Sequence, residues 1–216
     1  MSSRREFLAQ TAAATAAIML PLDVRQLPRP ACTLVDFGDH CALRESLLGY
    51  RRELSERGLT LTNADDDPAA MIIPGAAHID SSTARLVAGC LQRGGTVLLE
   101  SGAAFADFGV HRDAMRDYFQ IHLDPPIDLW PARGIPYVDY IWPRPAKIRD
   151  FSRVIPVASR VEQIVGRVAD IPVALARRAG QGTLIFLGSP LGPALWAGDA
   201  DARRWLGSVL SLSAID

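Results

Sequence analysis

Four short polar segments each stand at the end of an apolar run that reads as a strand. They are Asp39-His40, Ala77-His78, Glu100-Ser101 and Ser189-Pro190. Between them they hold the ingredients of nucleophilic hydrolysis. A serine attacks a carbonyl when a base takes its proton and backbone N–H groups hold the oxyanion. Ser101, with His40 or His78 as base and Glu100 as carboxylate, is the candidate catalytic set. Asp39, His40, His78, Ser101 and Ser189 also form a candidate ligand-binding set. Two histidines with carboxylates suit a metal equally, but no ligand spacing is diagnostic, and neither a metal nor a cofactor is assigned. His111 and His122 flank a short helical stretch and carry no motif.

These segments can meet only if the intervening elements bring them together. In an open α/β sheet, loops at the carboxyl ends of the strands gather ligands where the strand order reverses. Cys32 to Phe37 reads as a buried strand, and the leucines at 43, 47, 48 and 54 give an amphipathic helix stopped at Gly58. Leu59–Leu61 and Ala70–Ile73 follow as strands. Ser81-Ser82 is an expected N-cap for a helix with Leu86, Val87, Cys90 and Leu91 on its apolar stripe. Thr96–Glu100 is the fourth strand. Continuous apolar strands alternating with helices predict a mostly parallel sheet with helices on both faces.

The pattern breaks after a short helix near Arg112–Phe119. Residues 121–150 are rich in proline and aromatics, among them Trp130, Tyr137, Tyr140 and Trp142. Prolines at this density exclude long helices and central strands, so an insertion lying over the sheet is expected. Strand-like runs at 151–157, 161–168, 171–177 and 182–187, with turns at Ala169-Asp170 and Gly180-Gln181-Gly182, predict an antiparallel meander. A last helix is expected over about 199–212.

The chain has 216 residues and is 49% hydrophobic, enough to bury one domain's core. Beyond residue 30 it carries 19 basic and 22 acidic side chains, a net charge of −3, which excludes the electrostatic footprint of a nucleic-acid binder. Lys147 is the only lysine. Three cysteines make no disulfide framework. Cys90 falls on a helix stripe, so it is expected as a packing residue and not a nucleophile.

Ser3-Arg4-Arg5-Glu6-Phe7-Leu8 resembles the twin-arginine translocation motif, with Arg4, Arg5, Phe7 and Leu8 as its informative positions. The apolar stretch that follows, Ala12 to Leu20, is about half of a bilayer-spanning helix. That implies a signal and linker over 1–30, a single domain over 31–216, a partnership with the twin-arginine translocase, and a periplasmic or otherwise extracytoplasmic location without a permanent membrane span.

The domain's framework resembles the class I glutamine amidotransferase-like superfamily, nearest in look to trehalose-utilisation proteins and the trimerisation domain of β-galactosidases. The residues carrying the resemblance are Ile72-Ile73-Pro74-Gly75, the run from Leu91 to Glu100, and Gly180-Gln181-Gly182 through Ser189. It implies a flavodoxin-like α/β fold extended by the C-terminal meander. The family's glutaminases place a Cys on the strand-to-helix elbow, where this chain has Glu100-Ser101-Gly102, and the later His-x-Glu pair is absent. Glutamine hydrolysis is therefore not expected. Two readings stay open. One is a non-catalytic ligand-binding or accessory domain, with a small-molecule or carbohydrate ligand or a co-exported enzyme partner. The other is a hydrolase of a small ester, amide or glycan-derived substrate acting from Ser101. The first expects that no His reaches Ser101.

Overall fold

Two adjacent parallel strands are buried along their whole length and carry mostly apolar residues, because both faces of the sheet are covered. The computed structural model describes residues 32–36, 42–59, 61, 68–129, 136–150, 153–158 and 163–212. β1 spans Cys32–Leu34, β2 Ala70–Ala76 and β3 Thr96–Ser101, and every residue of β2 and β3 is buried. Side chains alternate between faces. Ile72, Leu98 and Ile185 point to one core, where they meet Tyr50, Leu54 and Trp205. Met71, Val97, Leu99 and Phe186 point to the other, where they meet Val87, Cys90 and Met115.

The first core is closed by α1 (Arg44–Glu56), α4 (Gly192–Trp196) and α5 (Ala200–Ser211). Leu47, Tyr50 and Leu54 recur at helical spacing on the buried face of α1. α1 and α4 touch backbone to backbone. A Cβ on Gly49 would lie 2.0 Å from the Gly192 carbonyl oxygen, and one on Gly192 would lie 2.2 Å from Ser46 Cα. The second core is closed by α2 (Ser81–Gln92) and α3 (Phe108–Phe119). The cap of α2 is Asp80, one residue before the expected Ser81-Ser82. Its carboxylate accepts from Thr83 N at 2.7 Å and from the Ser82 hydroxyl at 2.8 Å. A carboxylate satisfies an open helix N–H and also meets the helix dipole favourably. Asp107 and Asp199 cap α3 and α5 in the same way.

The expected mostly parallel, flavodoxin-like sheet is corrected by the strand pairing. β8 spans Gln163–Val168, β9 Ile171–Ala179 and β10 Gly182–Leu187. β5 (Tyr137–Tyr140) and β6 (Ala146–Arg149) come from the proline-rich segment. One mixed eight-stranded sheet runs β1-β2-β3-β10-β9-β8-β5-β6. β1, β2, β3 and β10 are parallel, and from β10 outward every pairing is antiparallel. The proline-rich segment does not lie over the sheet but extends it. Its prolines stand before β5 and in the 141–145 turn, leaving two proline-free stretches that pair as a hairpin. Asp139 and Tyr140 then pair with Arg167 and Gly166 of β8. A second, two-stranded sheet joins β4 (Ile127–Asp128) to β7 (Arg153–Val154). Leu61 makes only a parallel bridge to Cys32, on the side of β1 away from β2.

Candidate functional site

β3 and β10 run parallel and adjacent, so Glu100-Ser101 and Ser189 reach the same end of the sheet. Glu100 is fully buried. Its Oε2 accepts from the Tyr50 hydroxyl at 2.8 Å, Leu191 N at 2.9 Å and Gly192 N at 3.0 Å. One carboxylate thus ties β3 to α1 and to the start of α4. Its Oε1, like the hydroxyl of nearby Ser46 of α1, has no hydrogen-bond partner among the described residues. Burial raises the Glu100 pKa above its usual range, and its hydrogen bonds pull in the opposite direction. Burial likewise pushes the Tyr50 phenol well up, reinforced by the Glu100 charge.

Ser101 is fully buried, and its Oγ lies 2.9 Å from His111 Nε2. Ala103 N donates to the same hydroxyl oxygen at 3.3 Å. A serine hydroxyl can accept twice and donate once, so the direction of the Ser101–His111 hydrogen bond follows the His111 tautomer: Nε2 accepts when the ring proton is on Nδ1 and donates when it is on Nε2. His111 is also fully buried, and its Nδ1 has no hydrogen-bond partner among the described residues. Burial, helped by nearby His78, lowers the His111 pKa to about 4, so the imidazole is neutral at pH 7. Chemically this is a buried nucleophile–base contact, and among the described residues no carboxylate orients the base.

Ser189, also buried, donates to Asp150 Oδ2, a carboxylate that is itself buried. His78 is exposed, in the loop between β2 and α2. Asp39 and His40 lie outside the described residues, as do Arg4, Arg5, Phe7, Leu8, Cys41 and Trp130. Among the described residues no group of three or more His, Cys, Asp or Glu side chains could hold a metal ion. No described helix is long and apolar enough to cross a membrane.

The structure therefore corrects the expectation that no His reaches Ser101. The partner is His111, which lies within α3 and does not flank it. A signal existed: His111, Met115 and Phe119 recur every four residues, which puts His111 on the helix's inward face. The expected helix began one residue too late to include it. Asp150 as the partner of Ser189, and Tyr50 as the partner of Glu100, had no local signal at all.

Comparison with known proteins bears on the fold. No protein-family model and no curated protein matches the chain. Among solved structures it is similar to Gan42B, a GH42 β-galactosidase from G. stearothermophilus. The TM-score is 0.56 at 16% identity, over 79% of this chain and 29% of that one. It is similar to the exo-β-1,4-mannosidase Op5Man5 from Opitutaceae bacterium strain TAV5, with TM-score 0.55 and 13% identity over 96% and 37% of the two chains. It is also similar to the cytoplasmic protein STM1381 from Salmonella typhimurium LT2, with TM-score 0.59 and 10% identity over 84% and 98%. The chain spans under a third of the β-galactosidase's length. The fold is thus that of a β-galactosidase-type domain, and the kinship to glutamine amidotransferases or trehalose-utilisation proteins is withdrawn. Residues 3–8, which carry the twin-arginine resemblance, lie outside the described residues, and no comparison supports a signal there.

Proposed function

We propose that this domain is a non-catalytic accessory or ligand-binding module associated with glycan-active enzymes. The observation that carries the reading is how the strand-end residues are used. Glu100, Ser101 and Ser189 are each buried and each bonded inside the protein, to α1 and α4, to α3, and to the residue after β6. A catalytic serine needs a path to substrate and a base held by a third group, and this end of the sheet is used to join elements instead. The fold shared with part of glycan-cleaving enzymes supports the association, and its match to nearly all of the STM1381 chain supports a free-standing module. Incubation with a fluorophosphonate probe tests the reading: wild type and Ser101→Ala should both remain unlabelled. Labelling of wild type that disappears in Ser101→Ala would sink it.

One observation favours a second reading, a hydrolase of a small ester, amide or glycan-derived substrate. The 2.9 Å contact between Ser101 Oγ and His111 Nε2 is within range for base-assisted attack. In that reading His111, and neither His40 nor His78, is the base. Turnover of p-nitrophenyl acetate or galactoside that falls to background in both Ser101→Ala and His111→Gln would establish it.

A further inference from the structure

Away from the strand ends, the outer surfaces of α2 and α3 border a cleft of about 520 Å³ lined by Ser81, Ala84, Arg85, Ala88, Asp117 and Tyr118. That size falls within the range of small-molecule sites, roughly 300–1,000 Å³. None of Glu100, Ser101, His111 or Ser189 lines it. Tyr118 is 47% exposed; its ring meets that of its buried neighbour Phe119 edge-on, with centroids 6.3 Å apart, and leaves about half of the residue open to solvent beside the cleft. Ala84 and Ala88, one helical turn apart, are too small to fill the space beside it. Arg85 Nε donates to the Ser81 carbonyl at 3.2 Å, and the rest of its guanidinium makes no bond among the described residues. Asp117 is braced by Arg116 Nε at 2.8 Å, which holds its carboxyl below the usual range and therefore ionised.

The lining selects a chemistry. An anion would meet Asp117, and a cation would meet Arg85 with Arg116 close by. A wholly apolar ligand would strip water from Arg85 and Asp117 without replacing their hydrogen bonds. A pyranose ring avoids all three difficulties. Its C–H face is apolar and flat enough to lie on Tyr118, and its hydroxyl rim both donates to a carboxylate and accepts from a guanidinium. We infer that the α2–α3 cleft binds an uncharged hexose oligosaccharide, stacked on Tyr118 and hydrogen-bonded by Arg85 and Asp117. This rests on the accessory-module reading and names its site and ligand class.

The test uses the full chain and two probes of each kind: β-1,4-galactobiose and β-1,4-mannobiose by calorimetry, soluble β-1,4-galactan and galactomannan by affinity electrophoresis. Wild type should bind at least one probe. Tyr118→Ala and Arg85→Ala, both on the surface, should weaken binding at least about tenfold, a loss of one full decade in Kd. Tyr118→Phe, which keeps the ring, should stay within about threefold of wild type. Binding of a disaccharide would assign a free sugar as ligand, and binding of polymer alone would assign a glycan chain. Either supports the site. No binding of wild type to any of the four, or equal binding by wild type and Tyr118→Ala, overturns it. Such a failure is separable from that of the accessory reading, which falls only on labelling or turnover through Ser101.

Discussion

Ser101 Oγ and His111 Nε2 stand 2.9 Å apart, and neither side chain is exposed to solvent. Proximity alone would nominate a catalytic pair. In the accessory-module reading, burial and an Nδ1 without a hydrogen-bond partner among the described residues make it a polar contact of the core, joining the end of β3 to α3. Its loss should therefore appear as instability. In Ser101→Ala, His111 loses the hydrogen-bond partner it has among the described residues, at a cost of about 1–3 kcal/mol. Urea unfolding measures this, and a variant as stable as wild type would contradict the assignment.

Titration of His111 gives a second expectation. Its pKa is lowered from 6.5 to about 4, first by burial and then by His78. The folded state binds fewer protons than the unfolded chain between those values, so stability is present above about pH 6.5 and is lost as pH falls toward 4. The full shift corresponds to about 3 kcal/mol. Comparing urea midpoints of wild type and His111→Gln from pH 7.5 to 4 isolates this contribution. Parallel curves would refute it.

Glu100 should show the opposite sign. Its folded pKa is raised, chiefly by burial, so its contribution favours the fold below the unfolded carboxyl pKa and declines as pH rises through the folded one. Glu100→Gln keeps an acceptor for Tyr50 and the two amides and should be tolerated. Glu100→Ala strands three buried donors and should lose on the order of 3–5 kcal/mol. Equal stabilities of the two variants in urea would show that these bonds do not hold α1 and α4 to β3.

The contact of α1 with α4 has no room for a methyl group. Gly192→Ala places its Cβ against Ser46 Cα, at 2.2 Å in the unrelaxed backbone. Helix separation should cost about 1–3 kcal/mol or more. A melting temperature within a degree of wild type would count against so close an approach.

Cys32 and Cys90 are buried thiols outside any disulfide, and burial, with Cys90 nearby, pushes the Cys32 thiol up to about 12. In a Cys41→Ser background neither should react with Ellman's reagent until the protein unfolds. Cys90→Ala should cost on the order of 1 kcal/mol. Fast reaction of the folded protein would reverse the assignment of Cys90 as a packing residue.

Local periodicity in this chain records which side of each segment meets the core. Leu47, Tyr50 and Leu54 mark the inward face of α1, the unbroken apolar runs mark β2 and β3 as covered on both faces, and Cys90 sits on the inward stripe of α2. Each depends on residues within a few turns or steps of one another, so the sequence alone determined them, along with the turns at 169–170 and 180–182. Partnership across the chain carries no such record. That the 137–149 hairpin joins the sheet beyond β8, that Glu100 closes on amides 91 and 92 residues away, and that Ser189 meets Asp150 were decided only by the tertiary structure. The reason is physical: strand order and buried hydrogen bonds depend on which distant surfaces fit together and which polar atoms must find partners once water is excluded.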